Sequence, residues 1–159
     1  MLSVQRMLGR DDDFCALLEA SAGEGVASVE ALAEALYKIP KTVEKFAERY
    51  LLSLEQVRAF DFTRQLVLME EATKSVLEMV QAFRAQAGVA ELKRLDGRIQ
   101  RLEAEADDVI LEFVRQLFEP DCPSLQAIIL KDLVELNEKV VDRCRDASSV
   151  IARVALKNS

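Results

Sequence analysis

Apolar residues along this chain recur every three or four positions, the spacing that places them on one face of an α-helix. Between 90 and 118 the series is Leu92, Leu95, Ile99, Leu102, Ala106, Val109, Ile110, Phe113 and Leu117. A second series, Leu66, Met69, Ala72, Val76, Met79, Val80 and Phe83, predicts a helix over 62–86, with Asp61 as its N-cap and Gly88 closing it. A third, Leu125, Ile129, Leu130, Leu133, Leu136, Val140, Cys144, Ala147, Ile151 and Val154, predicts a helix over 124–156, separated from the previous one by the Pro-containing "EPDCPS". Toward the start, Phe14, Leu17, Leu18, Val26, Val29, Leu32 and Leu36 predict a helix over 11–39, with Gly23 and Gly25 as its weak point. Pro40 is expected to open a separate piece, 41–52, and "SLEQVRAF" fits no period. No alternating strand pattern of useful length occurs, so the expected fold is all-α, an antiparallel helical bundle.

Composition agrees. Half of the 159 residues are hydrophobic and 31% are charged, enough for one domain with a real core. Five Gly, three Pro and no Trp, among many Ala, Leu and Glu, favour helix. A formal charge of −7 leaves no basic stripe for nucleic acid. No apolar run approaches the roughly 20 residues of a membrane helix, and the first residues lack the apolar core of a signal peptide, so no membrane insertion and a cytoplasmic location are expected. Cys15, Cys122 and Cys144 are far apart and odd in number, which reads as reduced thiols, Cys144 in the core. There is no histidine. That absence removes Ser-His-Asp and Cys-His catalysis, HExxH zinc sites and the Glu-x-x-His di-iron site.

The remaining candidate chemistry is carboxylate. "RLEAEADDVILEF" (101–113) holds Glu103, Glu105, Asp107, Asp108 and Glu112. On a helical wheel Asp108 faces solvent, Glu105 and Glu112 lie outside one edge of the apolar stripe, and Glu103 and Asp107 flank the other edge one turn apart. Glu138 and Asp142 repeat the E-x-x-x-D spacing on the next helix. From a turn centred at 121–122, Glu103 and Asp107 lie about 18 and 14 residues before it, and Glu138 and Asp142 about 17 and 20 after, so an antiparallel hairpin brings both pairs to nearly one height. Four carboxylates at one level suit a hard cation: iron, manganese, magnesium or zinc. The 138/142 pair points away from its own stripe, which puts such a site on the bundle surface. The plainer reading pairs these acids with Arg143, Arg145 and Lys139, or leaves them solvated.

"LEAEADDVI" followed by "KDLVELNEKVVDRCRDASSVIARVALKNS" resembles the PhoU-like family of phosphate-transport regulators, in the branch associated with Pit phosphate transporters. "LGRDDDFCALLEASA" is similar to that branch's opening. The resemblance implies three-helix bundles whose E/D-x-x-x-D motifs bind iron or zinc on the surface, with manganese or magnesium as further candidates. It maps those motifs to Glu103, Asp107, Glu138 and Asp142, with Glu135 as an outer ligand. Residues 61–159 resemble a complete bundle, whereas 1–60 resemble only a remnant of a first repeat and a connecting helix, without its acidic motif. The 11–39 helix would then need to pack on the remaining bundle or on a second subunit, and a homodimer is expected. The function implied is a non-enzymatic regulator or accessory of phosphate transport, its partner a phosphate transporter or an associated signalling protein. The alternative is a metal-free structural or dimerisation module. An enzyme is disfavoured because no nucleophile, base or Gly-rich phosphate loop accompanies the acids.

Overall fold

The computed structural model describes residues 2–118 and 123–157, with side chains described over 15–115, 117–118 and 123–156. Five helices and no strand occur among them: α1 (Leu2–Leu52), α2 (Leu54–Val57), α3 (Thr63–Arg84), α4 (Val89–Leu117) and α5 (Ser124–Lys157). The fold is an all-α helical bundle, as its periodicity predicts.

The buried positions alternate by three and four. On α4 they are Leu92, Leu95, Ile99, Leu102, Ala106, Val109 and Phe113; on α5, Leu130, Val134, Asn137, Val141, Cys144, Ser148 and Ile151. A mean spacing of 3.5 keeps a seam facing one partner, as in coiled coils. Helix α5 also buries Leu133, Val140 and Ala147, one heptad apart, completely. It needs the second stripe because it packs on α3 and α4 and also receives α1. The expected 124–156 stripe omits Val134 and Val141, which this wider contact buries. It also includes Leu125, which is 65% exposed because the seam begins only at Leu130. Leu66 of α3 is likewise on the outer face, at 44% exposure.

Helix α1 departs from expectation twice. It continues through Gly23, Gly25 and Pro40 as one element of 51 residues. Pro40 removes a single hydrogen bond, to the Leu36 carbonyl, and flanking core contacts from Ala35, Ile39 and Phe46 outweigh that loss. Second, only part of its apolar stripe is covered. Leu32 and Leu36 join the core, whereas Leu17, Leu18, Val26 and Val29 are 54–70% exposed. Arg49 pairs with Asp132 at 3.1 Å, and Leu32 and Val154 line one groove, so α1 runs antiparallel to α5. In that register α1 outruns the last residues of α5 from about residue 25 downward. The Phe14 side chain and Cys122 lie outside the described residues; Cys15 is exposed and Cys144 fully buried.

At the opposite end, aromatic rings close the core. Phe62 meets Phe46, Tyr50 and Phe113 with centroids 6.0–6.3 Å apart. Val57 of the one-turn α2 is fully buried beneath the connection, which resolves the stretch that fits no period. Asp61 stands one residue before the Phe62 cap, yet its carboxylate accepts the Thr63 N–H at 2.9 Å. Its pKa is lowered, first by the Thr63 side chain and then by this N–H.

Gly88 does not close α3. The Gln86 N–H reaches the Phe83 carbonyl and the Ala87 N–H the Ala82 carbonyl, both at 3.0 Å, so the helix ends in a Schellman turn. Its left-handed residue is Gln86, at φ 56°. Gly88 instead opens α4, its carbonyl accepting the Glu91 N–H. A β-carbon in that conformation costs on the order of 1 kcal/mol, so Gln86→Gly should raise the unfolding free energy by up to about that amount. A urea titration at equal m-value measures it.

Candidate metal centre

Helices α4 and α5 are joined across their surface by polar contacts. The Ser148 hydroxyl donates to Asp96 Oδ1 at 2.7 Å, and Arg145 Nη1 donates to Glu103 Oε1 at 2.8 Å. These contacts fix an antiparallel register in which Glu103 is level with about residue 143 and Asp107 with about 139. Both E-x-x-x-D pairs therefore stand at one height beside the seam.

Glu138 is the centre of the group. It is half-buried and makes no hydrogen bond or ion pair among the described residues. Its pKa is raised, first by burial and then by the charges of Asp142, Asp107, Glu135 and Glu103. Every acid proposed as a ligand from the sequence thus acts on the same carboxyl. Asp132, Glu135, Glu138 and Asp142 line one shallow groove with Leu136 and Lys139. Asp132 was missed, although it continues the α5 acids at the same spacing of three to four; its carboxylate is paired with Arg49.

The cations occupy the margins. Arg145 Nη2 lies 3.7 Å from Asp142 Oδ1 and 3.2 Å from Asp146 Oδ1, so one guanidinium spans Glu103, Asp142 and Asp146. Lys131 pairs with Glu135 along α5. Arg143 turns to Asp146 at 3.0 Å instead of entering the group. As the side chains stand, no three Asp, Glu or Cys groups among the described residues are gathered tightly enough to hold a metal ion. Asp107 is exposed and makes no ion pair among the described residues. Of the other acids in 101–113, Glu105 and Asp108 are exposed and Glu112 pairs with Arg64 of α3 at 2.9 Å.

The raised Glu138 pKa has a consequence for stability. A carboxyl whose pKa is higher folded than unfolded favours the fold at low pH and disfavours it once pH rises through the folded value. Glu138→Gln should therefore raise the melting temperature at pH 7 by about 1–2 °C, after allowance for solvent screening. The gain should disappear below the ordinary carboxyl value of 4.5, where both proteins are neutral at this position. Paired melting curves at pH 4 and pH 7 in low salt read this directly.

The chain matches no protein-family model, no curated protein and no solved structure.

Proposed function

We propose that this chain is a non-enzymatic, cytoplasmic regulatory or accessory protein that binds a hard cation on the α4–α5 surface. Glu103, Asp107, Glu138 and Asp142 are the proposed ligands, with Glu135 outside them. Iron or zinc comes first, then manganese or magnesium. The observation that carries this reading is Glu138, half-buried and unpartnered among four other acids. A cation there offsets the mutual repulsion directly, and an all-oxygen donor set suits a hard ion. The metal would bridge two helices and fix a surface patch for a partner to read.

That the partner is a phosphate transporter or a signalling protein attached to one rests on the resemblance of 101–109 and 131–159 to PhoU-like regulators. A second reading, a metal-free structural module, is favoured by Arg145, which already spans Glu103 and Asp142.

Elemental analysis of untagged protein beside the Glu103→Ala/Asp142→Ala variant separates the two. The metal reading expects iron or zinc near one per chain in the parent, lost in the variant while helicity persists. Metal absent from both proteins, with melting unchanged by added iron, zinc or manganese, would establish the structural module.

A further inference from the structure

We propose that the aromatic pocket at the α2 end of the bundle binds a small organic cation, an ammonium group carried on an apolar alkyl or aryl body. The inference stands without the metal site.

The pocket lies where the last turns of α1 meet the connection into α3, and its volume is about 500 Å³. Sites for small organic molecules span roughly 300–1,000 Å³. Its aromatic walls are held by the fold itself. Phe46 and Tyr50 stand one turn apart on α1, their ring centroids 6.2 Å apart and their planes 20° from parallel. The Phe62 ring is set across both, at 79° to Phe46 and 86° to Tyr50. Phe46 and Phe62 are buried, whereas Tyr50 and Phe60 are half-buried. Leu51 and Leu66, both exposed, add an aliphatic rim. Rings in two perpendicular orientations offer a negative π face to a cation over a wide range of approach.

The charge of the lining is one-sided. Asp61 belongs to it, and no Lys or Arg does among the described residues. The basic residues nearest in sequence are engaged elsewhere: Arg58 with Glu55 at 3.4 Å, Arg64 with Glu112 at 2.9 Å and Arg49 with Asp132 at 3.1 Å. Asp61 makes no ion pair among the described residues. The Thr63 N–H that donates to it at 2.9 Å fixes the carboxylate in place. Two carboxylate oxygens offer about four acceptor positions, so capacity remains for a further donor. A carboxylate without a counter-ion, beside aromatic faces and an aliphatic rim, is complementary to an ammonium head on an apolar body. The head meets Asp61 and the rings, and the body covers Leu51 and Leu66. A neutral ligand of the same shape gains only the apolar part, and Asp61 repels an anion.

NMR titration of the full chain with three probes on one body tests this: 4-phenylbutylamine, 4-phenylbutanol and 4-phenylbutyrate. The amine should bind with a dissociation constant of about 1 mM and move the methyl signals of Leu51 and Leu66. The alcohol should bind roughly fivefold more weakly, and the carboxylate more weakly still. Asp61→Asn keeps an acceptor for the Thr63 N–H; it should bring the amine to the affinity of the alcohol and leave the alcohol unchanged. Leu66→Arg, on the outer face of α3, places a cation at the rim and should abolish amine binding with bundle melting retained. Equal affinity for the three probes, an amine preference that survives Asp61→Asn, shifts confined to another surface, or no binding of the amine would each overturn the proposal. So would self-association that covers Leu51 and Leu66, since the pocket would then be a contact between copies.

Discussion

Leu133→Ala should lower the unfolding free energy by about 3 kcal/mol and the melting temperature by roughly 6–12 °C. Leu133 is fully buried on the stripe it shares with Val140 and Ala147. Helix α5 contacts all four other helices, whereas α1 and α4 share no comparable interface. A cavity there cannot be closed by moving one neighbour, because α5 is held from both sides, so the loss belongs toward the middle of the large-to-small range. Leu125→Ala is the matched control: the same atoms removed from the same helix, at 65% exposure, should change stability by less than about 0.5 kcal/mol. Equal losses in urea unfolding would show that α5 is not the central element.

The contrast between Leu133 and Leu125 marks where sequence reasoning succeeds. Periodicity places residues on a face, and every expected apolar residue of α4 lies in the core or packed against it, because that helix has one buried face and one wet one. It does not say how many faces a helix buries. Val134 and Val141 fall outside the predicted stripe because α5 has neighbours on two sides, a fact of assembly. Nor does periodicity say where a neighbour ends. Val29 and Leu32 are consecutive on one stripe, yet Val29 is 70% exposed and Leu32 partly buried. Breaker residues mislead for a related reason: Pro40, Gly23 and Gly25 weaken a helix locally, but tertiary contacts decide whether it stops.

Polar positions on the buried seam were the least legible. Asn137 is 3% exposed and its Nδ2 has no partner; Gln65 is 5% exposed and its Oε1 has none. Both occupy seam positions where the pattern calls for Leu or Val, and an apolar residue there would avoid the cost of an unpaired buried amide. Asn137→Leu is accordingly expected to stabilise the bundle by about 1 kcal/mol, readable in the same urea experiment. The candidate site was legible in its residues because E-x-x-x-D spacing and hairpin length are one-dimensional facts. Its electrostatic balance was not, since that depends on which of several basic residues turns inward. Arg101 and Arg115 share the Glu103 helix, yet the partner of Glu103 is Arg145 from α5.

Arg145 should therefore have opposite effects on fold and ligand. Its guanidinium is the cation joining Glu103 on α4 to Asp142 and Asp146 on α5, and Glu103 is the more buried end of that link, its side chain 21% exposed. Arg145→Ala removes the cross-helix pair and leaves Glu103 beside the other acids, a loss of about 1–2 kcal/mol without added cation, discounted because Arg145 itself is 39% exposed. The same change frees two proposed ligands. A metal entering the parent must first displace the guanidinium from Glu103 and Asp142; in the variant it meets them unpaired. Cation affinity should consequently rise by about tenfold, or about 1.4 kcal/mol, and saturating metal should restore most of the lost stability. Calorimetric titration with zinc or manganese, paired with melting curves at each metal concentration, measures both quantities on one pair of proteins. Destabilisation without rescue by either metal would make Arg145 the intended counter-ion of these acids and the group a structural salt-bridge network. Destabilisation reversed by metal would make it a placeholder, because a cation that replaces an arginine in both charge and position must bind the oxygens that the arginine held.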